Sequence, residues 1–267
     1  MRENRIRTIW AAGGAVINGW CAIPSGFAAE LMAHMGWDSL TIDTQHGLID
    51  YQVMVSMLQA ISTTPVTPMV RVPWNDPAAI MKALDAGAYG IICPMVNSRA
   101  ECERFVGACR YAPRGYRSSG PTRAVLYGGA DYPVKANDTV LALAMIETRE
   151  ALGNLDAILS TPELDGVYIG PSDLSVSLGL AHGLDRSEEN VVAALRSVLD
   201  GCRRHRIRAC IHTGSTAYAK RMIAMGFDSV TVLGDSRLLT LAGNQAVKEM
   251  RAGTAAPEAA NKSASPY

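Results

Sequence analysis

Eight short apolar runs recur along the chain, each followed by a stretch with helical spacing, and this alternation restricts the fold more than any other feature. The runs are AVINGWCAI (15–23), SLTIDT (39–44), TPMVRV (67–72), GIICPM (90–95), VLALAMIE (140–147), GVYIGP (166–171), RACIHT (208–213) and SVTVLG (229–234). They are almost continuously hydrophobic and do not alternate, as parallel strands buried on both faces require. Between them, segments such as GFAAELMAHMG, YQVMVSMLQAIS, DPAAIMKALDAG and SEENVVAALRSVLDGCRRH place good helix formers at helical spacing, and several end in Gly. Asp76-Pro77 reads as an N-cap followed by proline at the first helical position. Eight strand–helix units in about 250 residues match the (β/α)8 barrel. A doubly wound open sheet would use fewer strands and reverse their order.

The 267 residues are 48% hydrophobic, and 25 basic side chains balance 25 acidic ones. No concentrated basic face is implied, so neither nucleic acid nor a membrane surface is an expected partner. Nowhere do 18 uncharged apolar residues run together, and the basic start MRENRIRTIWAAGG lacks the apolar core of a signal peptide, which points to the cytoplasm. Cys21, Cys93, Cys102, Cys109, Cys202 and Cys210 form no CxxC pair and are expected to be reduced and buried. One barrel domain is expected over 1–253, with the small, polar stretch 254–267 disordered. Residues 113–139, rich in Gly, Pro and Arg, read as a long functional or mobile connection in which Arg117 covers the site or binds solvent.

In such barrels chemistry sits at the C-terminal ends of the strands. The apolar runs end in Asp43 and His46, Arg71, Glu147, Ser172 and Asp173, and His212. Singly, Glu147 could open a helix and Asp173 cap one. Together, on the ends of neighbouring strands, they suit a hard divalent ion such as Mg2+ or Mn2+. Arg71 needs an anion, either a substrate carboxylate or an internal partner such as Asp43. Around Ser172 and Asp173 a helix start offers backbone N–H groups to an anionic oxygen. His46 is suited to proton transfer near neutrality, and Asp43, three residues earlier, is placed to orient its ring. His212 and Trp74 are read as packing residues.

DTQHG (43–47), VRVPWNDP (70–77), LDAGAYGIICPMV (84–96), RYAPRGYRSSGP (110–121), MIETREAL (145–152) and GVYIGPSDLS (166–175) together resemble the HpcH/HpaI aldolases, the metal-dependent class II pyruvate aldolases. The resemblance runs over roughly residues 5–250. It implies a barrel of the phosphoenolpyruvate/pyruvate-binding type that cleaves 4-hydroxy-2-oxo acids to pyruvate, or a related 2-oxo acid such as hydroxypyruvate, and an aldehyde. By motif match, Glu147 and Asp173 would bind Mg2+, Mn2+ or Co2+, with no organic cofactor. Arg71, Gly170, Pro171 and Ser172 would bind the 2-oxo acid, and His46 with Asp43 would assist proton transfer. The same resemblance implies that Asp85 comes from a neighbouring subunit of a homo-oligomer, a trimer or hexamer that exchanges its last helix. Two positions depart from the family pattern: Gln45 stands where Glu is usual, and Met145 where Gln is usual. A citrate-lyase-like enzyme acting on an acyl-CoA, or another enolate-forming barrel enzyme, is the alternative.

Overall fold

A computed structural model describes residues 1–252 and contains the eight expected strands, all parallel and closed into one barrel in sequence order. Helix α1 (Arg5–Ala11) precedes β1 (Val16–Cys21). There follow α2 (Gly26–Ala33), β2 (Ser39–Asp43), α3 (Tyr51–Ile61), β3 (Thr67–Arg71), α4 (Pro77–Asp85), β4 (Gly90–Cys93) and α5 (Arg99–Cys109). Short helices α6 (Thr122–Gly128) and α7 (Tyr132–Thr139) lead into β5 (Leu141–Ile146), and α8 (Arg149–Gly153) and α9 (Leu155–Leu159) come after it. The chain ends its described part with β6 (Gly166–Ile169), α10 (Pro171–Ser177), α11 (Glu189–His205), β7 (Arg208–Thr213), α12 (Thr216–Met225), β8 (Ser229–Gly234) and α13 (Asp235–Arg251). Every apolar run therefore contains a strand, so the fold is a (β/α)8 barrel.

Caps explain where many helices begin. Ser25, Asp50, Asp76, Ser98, Thr148 and Ser215 each accept a backbone N–H in the first turn of the helix they precede, and Ser98 with Glu101 forms a reciprocal capping box. The strands bury both faces. Leu40, Ile42, Val70, Ile91, Ala144 and Ile169 lie outward under the helices, whereas Trp20, Met69, Ile92, Leu143, Met145 and Tyr168 fill the barrel interior. Inside, Asn18 is the polar hub, donating from Nδ2 to Thr41 and Thr231 and accepting from Ser39.

Residues 113–139 differ from expectation. They contain α6 and α7, and they pack at the N-terminal ends of the strands, away from the expected site. Arg2 N donates to Gly128 O at 2.6 Å, and Asn4 Nδ2 bonds the carbonyls of Tyr89 and Thr139, just before β4 and β5. The reason is topological: α5 carries the chain down from β4, and whatever precedes β5 must lie at that lower end. Arg117 is accordingly buried against the rings of Tyr111 and Tyr132 and does not cover the site. Trp74 is 58% exposed and anchors no packing. All six cysteines are free and buried. Among the described residues no helix is long and apolar enough to cross a membrane. The stretch expected to be disordered, 254–267, lies outside the described residues.

Candidate active site

Side chains alternate along a strand, so a residue two places beyond an interior one also faces inward. Met69, Met145 and Cys210 belong to the interior cluster, and Thr41 bonds Asn18 inside it. Two steps further on stand Arg71, Glu147, His212 and Asp43. The barrel thus brings four of the residues selected at strand ends onto one apolar floor.

Asp43 and Arg71 are direct partners in the β2–β3 register, and their side chains meet in two-point contact. Arg71 Nε donates to Asp43 Oδ1 at 2.9 Å and Nη2 to Oδ2 at 2.6 Å. Trp20 Nε1 donates to Oδ2 at 3.2 Å, and the backbone N–H groups of Gln45 and His46 donate to Oδ1. Burial pushes the Asp43 carboxyl up, but the bonds and charge of Arg71 outweigh it and hold the group below the usual carboxylate range. Arg71 also stacks on Trp20 at 4.8 Å, while its Nη1 makes no hydrogen bond within the described residues and is open to solvent. Of the two partners left open for Arg71, the internal one is present, and one nitrogen remains for a ligand.

This arrangement changes the part expected of Asp43 beside His46. Asp43 binds the backbone of residue 46 and not the imidazole, because its lone pairs are taken by Arg71, Trp20 and two amides. His46 itself is exposed at the rim. Gly47 follows because the turn folds back onto the strand, and a Cβ there would collide with the Asp43 carbonyl.

Glu147 is as buried as Asp43, each 3% exposed, but it is poorly supplied with donors. Oε1 accepts one bond, from Met95 N at 2.8 Å, and Met95 holds the left-handed φ of 55° to aim that N–H. Oε2 has no partner within the described residues. It faces Gly170, the next step of the β5–β6 register, and a Cβ at 170 would stand 2.5 Å from it. Burial pushes the Glu147 carboxyl up to about 7, and the nearby Asp173 carboxylate adds to the rise. Asp173, the third residue of α10, is exposed. Two neighbouring carboxylates, one with an unpartnered oxygen in a space that glycine leaves clear, are of a kind that suits a hard cation. Among the described residues no group of three or more His, Cys, Asp or Glu is gathered, so substrate or water would complete the coordination.

Around this pair, Gly170 is the N-cap of α10 and Pro171 its first residue. Ser172 and Asp173 follow, where backbone N–H groups lack intrahelical acceptors, and Ser172 Oγ lies 3.4 Å from His182 Nδ1. Asp85 is elsewhere. It ends α4 at the lower end of the barrel, where Arg117 Nη2 donates to its Oδ1 at 2.7 Å. In this chain it does not join His46. Trp20 and Tyr168 were not selected from the sequence, and His212, found at a strand end, was read as packing; all three wall the mouth, where Trp20 touches Asp43 and Arg71 and His212 meets Trp20 edge-on at 4.9 Å. Only the inward parity of β1 and β6 could have revealed Trp20 and Tyr168.

The chain is similar to known proteins over most of its length. A model of the family described as HpcH/HpaI aldolase/citrate lyase matches residues 20–233. The hydroxypyruvate/pyruvate aldolase of Rhizorhabdus wittichii is 45% identical over 249 residues, spanning 93% of this chain and 99% of that protein. The 4-hydroxy-2-oxo-heptane-1,7-dioate aldolase of Salmonella dublin is 38% identical and spans 89% of this chain and 90% of its own length. A crystal structure of an HpcH/HpaI aldolase/citrate lyase family protein from Burkholderia cenocepacia superposes with a TM-score of 0.83 at 31% identity, covering 89% of this chain and 95% of that one.

Proposed function

The chain belongs to the HpcH/HpaI aldolase/citrate lyase family, and from that premise we propose that this carbon–carbon lyase is a divalent-metal-dependent aldolase. Its substrates in this proposal are 4-hydroxy-2-oxo acids, split reversibly into an aldehyde and pyruvate or a related 2-oxo acid such as hydroxypyruvate. The observation that carries the proposal is the unpartnered Oε2 of the buried Glu147, open to the mouth near Asp173, with the free Nη1 of Arg71 on the same floor.

Retro-aldol cleavage breaks the C3–C4 bond, leaves the electron pair on C3 as an enolate, and releases the C4 hydroxyl proton as the aldehyde forms. Held by Glu147 and Asp173, Mg2+, Mn2+ or Co2+ would supply Lewis acidity to the 2-oxo and carboxylate oxygens. Arg71 puts a second positive charge where the enolate develops, and Asp43 keeps the guanidinium fixed so that no reorganisation is needed. His46, exposed at the rim, is the proton carrier for the C4 hydroxyl in this proposal, directly or through water. The lysines of the described residues all lie on helices, Lys82 on α4 and Lys220 on α12 among them, so no amine stands at a strand end for a Schiff base.

The proposal extends to assembly and place. Only Asp235 of α13 is buried, and Ile17, which points outward from β1, is 45% exposed where a helix would normally cover a barrel strand. A last helix that meets the barrel only near its start, together with a half-exposed outward residue on β1, supports a homo-oligomer in which copies exchange their last helix. Asp85 would then reach a neighbouring mouth, its second oxygen having no hydrogen bond within the described residues. Six free, buried thiols suit the reducing cytoplasm.

A panel of aldehydes with pyruvate and with hydroxypyruvate, read by mass with and without divalent ions, tests the proposal. Aldol products are expected that vanish on thorough chelation and return with Mg2+, Mn2+ or Co2+. Products that survive chelation, or inactivation by borohydride in the presence of pyruvate, would overturn it.

A further inference from the structure

One imidazole at the mouth takes no part in the chemistry above. His212 faces inward from β7, and its surroundings are built. Its Nδ1 lies 3.1 Å from Tyr168 Oη, and Tyr168 in turn donates to Thr231 Oγ1 at 2.7 Å. The Trp20 indole meets the ring edge-on, with Tyr168 5.8 Å from the same indole. In the arrangement where Tyr168 gives its one hydroxyl proton to Thr231, the 3.1 Å contact is made by a proton on His212 Nδ1, and the proposal below takes this tautomer. Nε2 therefore presents a lone pair. It makes no hydrogen bond within the described residues, yet it is not among the buried unpaired atoms, so it opens toward the mouth.

The ring is neutral as well as oriented. Burial and then the Arg71 charge lower the His212 pKa to about 4, against the opposing pull of Asp43. A neutral lone pair beside a guanidinium gives nothing to a second carboxylate on the substrate. A methyl group placed there would leave it unpaired in a site walled by Trp20, which is costly. A hydroxyl satisfies it.

We infer that His212 Nε2 is a specificity-determining acceptor for a hydroxyl carried on the carbon next to a reacting carbonyl. Tyr168 is its positioning residue, acting through Nδ1. The inference rests on the aldolase proposal and adds to it a substrate class, α-hydroxycarbonyl compounds. The hydroxyl has two sources, the 3-hydroxyl of a hydroxypyruvate-type donor or the 2-hydroxyl of the aldehyde.

Paired substrates distinguish them within single enzyme preparations, so that any misfolded fraction cancels in the ratio. One arm takes the kcat/KM ratio of hydroxypyruvate to pyruvate with one aldehyde. The other takes the ratio of glycolaldehyde to acetaldehyde with pyruvate. In His212→Leu one of the two ratios is expected to fall about tenfold, and the arm that falls names the source. His212→Gln, which keeps an acceptor oxygen, should restore most of it, and Tyr168→Phe should lower the same ratio. If both ratios stay within about twofold of the native values in His212→Leu, or if His212→Gln behaves as His212→Leu does, the inference is overturned. A native enzyme giving no aldol product with any pair would instead remove the aldolase proposal itself.

Discussion

Two carboxylates stand at equal depth in the mouth of this barrel, and the protein treats them in opposite ways. Asp43 receives five hydrogen bonds, two of them from a guanidinium, and is held below the ordinary carboxylate range. Glu147 receives one, from the Met95 amide, sits beside a second carboxylate, and is pushed up to about 7. Burial is the same, so the difference lies wholly in the partners. The Asp43–Arg71 half is complete within the chain. The Glu147–Asp173 half has only the more distant Arg71 charge to offset its two carboxylates, and in the function proposed above a divalent ion supplies the rest.

Arg71→Ala breaks the complete half and should have the largest effect. It leaves Asp43 buried without its cation, so unfolding free energy is expected to drop by about 3–5 kcal/mol in denaturant titration. Turnover should fall at least about a hundredfold with the loss of charge at the enolate. Unchanged stability and near-native kinetics would make the pair incidental. Gly170→Ala sharpens the contrast from the other side. Its Cβ would press on Glu147 Oε2 and leave Asp43 alone, so Mg2+ or Mn2+ affinity should weaken roughly tenfold or more by calorimetry. Equal affinity in the variant would place the ion elsewhere.

The smallest effect is a slope. For Glu147, whose folded pKa is raised, the stability held below its ordinary value of 4.5 is lost as pH rises through about 7. For Asp43, whose folded pKa is lowered, stability is present above its ordinary 3.8 and is lost as pH falls through the folded value. The metal-free protein should therefore lose stability from about pH 5 to 7, by no more than ~1.4 kcal/mol per unit, and saturating divalent ion should flatten or reverse that slope. A metal-free stability that rises across this window would mean that Glu147 does not govern it.

Much of this was legible in the sequence. Continuous apolar runs without alternation point to parallel strands buried on both faces, and eight of them, each followed by a helix, match a closed barrel better than a doubly wound open sheet. The polar residues that end those runs were identifiable for the same reason: charge is tolerated only where the buried strand stops. Less local features were not legible. The segment 113–139 reads as loop because its Gly, Pro and Arg content carries little helical periodicity, and α6 and α7 exist through packing against α4 and each other, with Ala124, Tyr132 and Ala136 buried in the core. Trp20 and Tyr168 sit inside apolar runs, where nothing in the letters separates a mouth residue from core.

The sequence by itself determined the strands, their order and which side chains could point inward, since a period of two needs no knowledge of neighbours. Tertiary structure decided how the charges pair. Asp43 and Arg71 lie 28 positions apart and become partners only through the β2–β3 register, which sets two charges across from each other and lets one satisfy the other. Glu147 gained no such neighbour: the β5–β6 register gave it Gly170, and the turn beyond gave it Asp173. Residue types set what each group can do, but burial beside a cation or beside another anion fixed which carboxylate is satisfied and which keeps an oxygen without a partner among the described residues.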